Sequence, residues 1–186
     1  AGLQRSVLLP SKTMRDVIRV LDKAPGKTME IEISEELGQV FFSSENVECV
    51  VRETHGDFPE YAAIIPKEFA IQVFFDKEEF QKTLKSAMVF SKEISGVVRL
   101  VVEKDVLTIF SASSDIGEFE DSLPIERLTE GEGEISFNGR FLQDFFSSVP
   151  QKRVWFGMNE SLKPAMLKGE GDDNFFYLAM PFRPQG

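Results

Sequence analysis

Residues 70–88 read Ala70-Ile71-Gln72-Val73-Phe74-Phe75-Asp76-Lys77-Glu78-Glu79-Phe80-Gln81-Lys82-Thr83-Leu84-Lys85-Ser86-Ala87-Met88. Ala70 to Phe75 is a strand. Asp76 then caps a helix, with Glu79 three residues on as in a capping box. Phe80, Leu84, Ala87 and Met88 lie along one helical side. After the helix, Gly96 precedes a strand at 97–103, Lys104-Asp105 turns the chain into 106–112, and Ser113-Ser114-Asp115 turns it into 116–123. The plan is therefore strand, helix, then hairpin strands. It recurs downstream: a strand at Glu134-Ile135-Ser136-Phe137, Asn138 as cap, a helix to Ser148 carrying Phe141, Leu142, Phe145 and Phe146, then strands near 153–158, 164–169 and 174–180. It also recurs upstream. Ser6-Val7-Leu8-Leu9-Pro10 is a strand, and Ser11 caps a helix over about 12–23 with Met14, Val17, Ile18 and Leu21 on one face. Strands near 28–33, 39–43 and 46–54 follow. The three caps stand roughly sixty residues apart, as expected of supersecondary units that need neighbours to bury their apolar faces.

Helices with one apolar face and sheets of alternating faces predict a two-layer α+β architecture of repeated β-α-β-β-β units. Helices form one layer and antiparallel sheets the other. Gly56-Asp57-Phe58-Pro59-Glu60-Tyr61 through Pro66 carries no helical or strand period and reads as a linker. It divides residues 1–66, one copy plus the linker, from residues 67–186, which hold two copies.

The 186 residues are 42% hydrophobic and 28% charged, which is globular composition. Cys49 is the single cysteine, so no internal disulfide forms, as in a reducing cytoplasm. No apolar run approaches membrane-spanning length, and the first residues lack signal-peptide architecture. The net charge of −10 argues against a tight grip on nucleic acid. The distribution matters more than the sum. Lys12, Arg15, Arg19 and Lys23 share one face of the first helix, Lys82, Lys85 and Lys92 follow on the second, and Arg140 opens the third. The strands and turns hold most of the acid, including Glu30, Glu32, Glu118, Glu120 and Glu170. On any one helix such lysines are ordinary solvation. Repeated over consecutive helices, they predict a basic layer that tolerates phosphates weakly, backed by an acidic layer that repels stray DNA.

Motifs for chemistry are scarce. His55 is the sole histidine and no Gly-x-Ser-x-Gly accompanies it, so it reads as a surface residue. One Cys and one His make no zinc site, and no metal or cofactor is expected. Glu118 and Glu120 share a solvated strand face. Gly131-Glu132-Gly133 and Gly169-Glu170-Gly171 are acidic turns without the lysine of a phosphate loop. Two apolar stretches remain, Ala62-Ala63-Ile64-Ile65-Pro66 and Leu178-Ala179-Met180-Pro181-Phe182. They read either as core or as the walls of a groove for a partner peptide.

Four segments in collinear order resemble the bacterial DNA sliding clamps, the β subunits of DNA polymerase III. Gly56 to Tyr61 with Ile64-Ile65-Pro66 resembles the linker between their second and third domains. Ile135-Ser136-Phe137-Asn138-Gly139-Arg140-Phe141-Leu142 resembles their last strand-to-helix junction, and Tyr177 to Arg183 their C-terminal signature. Ser6 to Pro10 is similar to the strand opening the second half of the middle domain. The resemblance implies a sliding-clamp fold, with residues 1–66 as the second half of the middle domain plus linker and 67–186 as the complete C-terminal domain. It implies a processivity factor of DNA replication that catalyses no reaction: a cytoplasmic, nucleoid-associated homodimeric ring around duplex DNA. That ring docks short peptides, typically Gln-Leu-x-Leu-Phe, of polymerases, clamp loader and repair proteins. The groove residues it implies are Pro59, Ala63, Ile64, Ile94, Asn138, Phe141, Leu162, Pro164, Leu178, Met180, Pro181 and Phe182, flanked by Arg183. The family's basic linker residue is Ala63 here. The chain matches about half of a family member. Its first copy is therefore expected to expose an apolar face able to drive dimerisation. The competing reading is a standalone protein-interaction module with no DNA role.

Overall fold

The computed structural model describes residues 6–24, 26, 28–58, 60–91, 96–115 and 117–183. They form two compact units, divided between Glu60 and Tyr61. The division thus falls inside the expected linker, and Tyr61–Ile64, read as aperiodic, forms one 3-10 turn belonging to the second unit.

The first unit holds helix α1 (Ser11–Leu21) and strands β1 (Glu30–Ser34), β2 (Gln39–Ser44) and β3 (Val47–Arg52), in the antiparallel order β1-β2-β3. Val17 of α1 closes over Val40, Phe42 and Val51, with Val7, Leu9, Met14 and Leu21 packed at the margin. Two expectations change here. Pro10, not Ser11, occupies the N-cap position, and no side chain caps α1. Residues 6–10 form no strand, although Pro10 itself is extended. They receive one ladder-like bond, from the Thr54 amide to the Leu8 carbonyl (2.8 Å), and a segment without a ladder partner does not qualify as a strand.

The second unit contains two full copies. One is β4 (Ile71–Asp76), α2 (Lys77–Phe90), β5 (Val97–Glu103), β6 (Val106–Ser113) and β7 (Gly117–Arg127). The other is β8 (Gly133–Asn138), α3 (Gly139–Ser148), β9 (Arg153–Met158), β10 (Ala165–Gly169) and β11 (Tyr177–Ala179). All strands join one antiparallel sheet in the order β11-β10-β9-β4-β7-β6-β5-β8. Its register states a rule. The strand after each helix pairs with the opening strand of the other copy: β5 with β8 (Val98↔Phe137, Leu100↔Ile135) and β9 with β4 (Val154↔Phe75, Phe156↔Val73). Each opening strand also turns toward the last strand of its own copy. β4 pairs with β7 (Phe75↔Ile125), and on the other side the Phe182 amide donates to the Ser136 carbonyl of β8 (2.7 Å). The two edges of the sheet therefore nearly meet.

The core lies between this sheet and the two helices. Phe75, Phe80 and Phe146 stack with ring centroids 4.7 Å apart for Phe75–Phe80 and for Phe80–Phe146. Each buried Phe or Leu of this kind stabilises the fold by about 1.5–3 kcal/mol. β11 is shorter than the strand expected at 174–180. The Asn174 amide bonds to Asp172 Oδ1 in a turn (3.0 Å), and Pro181 has no amide to donate beyond Ala179.

Candidate functional site

A groove of about 670 Å³ opens on the second unit where β11 gives out. One wall is Ala63-Ile64-Ile65-Pro66, the second is the β9–β10 turn with Leu162 and Pro164, and the third is Met180 with Arg183. Local chemistry fixes each wall. The Asn159 side chain accepts from the Ala70 amide (2.7 Å) and donates to the Glu68 carbonyl (2.9 Å), tying the chain before β4 to the β9–β10 turn. A bond from the Lys163 amide to the Glu160 carbonyl closes that turn (3.1 Å) and presents Leu162 outward. In the first full copy, β7 runs on unbroken from β6 to β4. In the second, Pro181 interrupts the corresponding run, and the gap is apolar space. Ile64, Leu162 and Met180 are exposed there although apolar. Glu160, Lys163 and Arg183 supply the charged groups of the lining.

The structure gathers Ala63, Ile64, Leu162, Pro164, Met180 and Arg183 of the expected set. Phe182 lies in an adjoining hollow of about 130 Å³, which shares Leu162 with the groove and is also lined by Glu134 and Ser136. Leu178 is half-buried on β11 opposite Met166, and Pro181 is half-buried beyond it. Asn138 does not line the groove: its side chain accepts from the Arg140 amide (3.0 Å) and caps α3. Phe141 is exposed on α3, outside the lining, because the core takes Leu142, Phe145 and Phe146 from that helix. Pro59 and Ile94 lie outside the described residues. Sequence reasoning missed Asn159, Glu160 and Lys163, which look like ordinary hairpin residues and carry no chemical signal of their own.

Of the basic residues, Lys82 and Lys85 lie on α2 and Arg140 on α3, two helices that pack together, and all three are exposed. In the first unit Lys12, Arg15 and Arg19 lie on α1, and Arg19 pairs with Asp16 (3.2 Å). Lys23 departs from the expectation of a common helical face, since α1 ends at Leu21. Lys92 lies outside the described residues. The strands of the second unit's sheet are laced with ion pairs: Arg153 bridges Glu126 and Glu170, and Arg99 meets Glu134. His55 is exposed, and among the described residues no group of three or more His, Cys, Asp or Glu is arranged to hold a metal. No helix among them is long and apolar enough to cross a membrane.

Residues 62–183 match the family described as DNA polymerase III beta subunit, C-terminal domain. The beta sliding clamp of Staphylococcus aureus is 25% identical over 180 residues, covering 96% of this chain and 47% of the relative. The chain thus spans about half the length of the curated relatives it matches. Among solved structures, the DNA polymerase III beta subunit of Thermotoga maritima superposes with a TM-score of 0.83 at 27% identity, covering 97% of this chain and 48% of that one. The sliding clamp of Pseudomonas aeruginosa bound to griselimycin superposes with a TM-score of 0.81 at 22% identity, over 96% and 47%. The antiparallel sheets with their helices are the clamp fold.

Proposed function

Because the chain belongs to the DNA polymerase III β-subunit family, through that family's C-terminal domain, we propose that it works as part of a sliding clamp, a processivity factor that catalyses no reaction and docks short peptides of polymerases, clamp loader and repair proteins. The observation that carries this reading is the groove. An apolar hollow bounded by Ile64, Leu162, Pro164 and Met180, with charge at its edge, suits a peptide that inserts Leu and Phe side chains and leaves its polar groups at the rim. The test is titration of a labelled Gln-Leu-x-Leu-Phe peptide against the chain. Saturable binding is expected. Leu162→Asp is expected to weaken it roughly a hundredfold and Met180→Ala roughly tenfold, because each removes an apolar anchor and the first leaves a charge to desolvate. Absence of binding, or binding indifferent to both changes, overturns the reading.

Encirclement of duplex DNA belongs to the same proposal. Lys82, Lys85 and Arg140 on packed helices would meet phosphates weakly, and a ring retains DNA by linkage rather than affinity. Homodimeric ring closure needs an open strand edge. β7 supports it: among the described residues β4 meets the far end of β7, at Ile125–Arg127, and the stretch 117–122 pairs on the β6 side alone. Beside that edge lies a hollow of about 420 Å³ lined by Phe110, Phe119, Arg99 and Glu118. A cytoplasmic place beside the chromosome follows from the reading. The register rule supports assigning the first unit to half of a middle domain, since it repeats one copy of the plan and its described residues show none of the cross-copy pairing. The alternative, a module that docks peptides without any DNA role, predicts that neutralising the lysines and arginines of the helices changes nothing in a DNA assay.

A further inference from the structure

On the reading of the groove as a peptide site, we propose that Phe69 is its positioning residue. Lodged against Trp155 on the face of the sheet turned away from the helices, Phe69 pins the chain just before β4. The wall at 63–66 thereby keeps a set distance from the wall of Leu162 and Pro164.

Val154, Phe156 and Met158 of β9 enter the core. By strand alternation Trp155 and Gly157 lie on the opposite face. A side chain there is ordinarily wet, yet Trp155, the sole tryptophan, is 7% exposed. Phe69 and Lys168 cover it. The Phe69 ring meets the indole edge-on, with centroids 5.1 Å apart and planes at 84°. The Lys168 ammonium lies 5.5 Å from the indole centroid. Gly157 makes the room for this arrangement: a Cβ there would run into the indole and stand 2.9 Å from the Phe69 ring.

Phe69 belongs to no strand; it sits in the connection that carries the first wall into β4. Its neighbours are tied by polar bonds. Asn159 holds the Glu68 carbonyl and the Ala70 amide, and the Gln72 side chain donates to the Phe69 carbonyl (3.1 Å). Gln72 stands opposite Gly157 in the β4–β9 ladder. Both Asn159 bonds come from one side-chain amide, whose last torsion is soft, so they form a swivel rather than a clamp. The Phe69 ring, seated against Trp155, stops the swivel. Neither ring lines the groove, so the pair acts at one remove. Asn159 and Leu162 share the β9–β10 turn, so both walls hang from one point and the pin sets their separation. A groove already held at its working width binds without first ordering its wall.

The experiment titrates the full chain with the labelled Gln-Leu-x-Leu-Phe peptide and, with no peptide present, follows deuterium exchange of the Ala70 amide. Phe69→Ala is expected to weaken binding roughly tenfold, mainly through faster dissociation, and to speed that exchange roughly tenfold. Phe69 and Trp155 stand outside the core cluster, so the variant keeps its fold, which circular dichroism checks. Emission of Trp155 is expected to move to the red as its cover is lost. Phe69→Tyr keeps the ring and is expected to restore both readouts. Gly157→Ala keeps both rings but forces them apart, and is expected to weaken binding in the same direction. Asp76→Ala removes a helix cap at the far end of β4 and is expected to lower stability without touching peptide affinity. Unchanged affinity in Phe69→Ala, a loss shared equally by Asp76→Ala, or no rescue by tyrosine overturns the inference. Should the unaltered chain bind no peptide, the groove reading falls by itself. The pin is then judged on the Ala70 amide: faster exchange in Phe69→Ala supports it, and equal exchange overturns it.

Discussion

Tyr177 sits on β11 with its ring 5.6 Å from that of Phe145. Burial, and next the Asp144 carboxylate, hold its phenol above the ordinary value of 10.0. The neutral phenol is thus favoured more in the folded than in the unfolded chain. That contribution is fully present below pH 10.0 and is lost as pH rises through the higher folded value. Alkaline melting is expected to steepen above pH 10, and Tyr177→Phe to flatten that limb while leaving neutral pH nearly unchanged; equal slopes for both proteins would refute the assignment. At this scale the sequence is legible where a residue type has one common use. Met180 lies in the groove because it stands beside Pro181, where the strand has ended and no ladder is left to join, whereas Ile64 and Leu162 reach the groove from turns and are named for it only by the family resemblance. Asn159 is illegible, because its two bonds, to residues 68 and 70, span about ninety positions of chain and no local pattern encodes them. Phe141 misleads for a related reason: it shares the apolar stripe of α3, yet the helix buries Leu142, Phe145 and Phe146 on its packed side and leaves Phe141 outside.

Helix starts carry much of the element-level information. Asp76 and Asn138 take extended backbone and accept from the amides of Glu79 (2.9 Å) and Arg140 (3.0 Å). Asp76→Ala is expected to cost about 1 kcal/mol, within a usual range of ~0.5–2, read as a lower urea midpoint at unchanged m. No change in midpoint would mean that packing of Phe80 and Leu84 alone sets where α2 begins. These caps, the hairpin turns and the strand alternation are readable because they are local. The absence of a strand at 6–10 is not, since strand identity depends on a partner and, among the described residues, Val7-Leu8-Leu9 meets a single backbone bond, from Thr54. The first cap falls one position ahead of Ser11: Pro10 is extended, and the helix begins just after it.

Across the molecule, a net charge of −10 and the cations Lys82, Lys85 and Arg140 on α2 and α3 set opposing tendencies toward DNA. Association of the chain with duplex is expected to be weak, independent of sequence and confined to low salt. Replacing Lys82, Lys85 and Arg140 by Gln should lower the slope of log K against log salt by about 0.9 for each phosphate no longer neutralised. An unchanged slope would remove these helices from any DNA-facing role. The eight-stranded sheet of the second unit has one further consequence. Among the described residues its edges are fastened by a single backbone bond, Phe182 to Ser136, next to the groove. A girdle gives first at its clasp, so the Phe182 amide should exchange with deuterium well before those of β5 or β9. The surface that greets partners is then also the place where the domain breathes, and a bound guest bridging that clasp would act as a rivet, tightening the whole girdle from its weakest stitch.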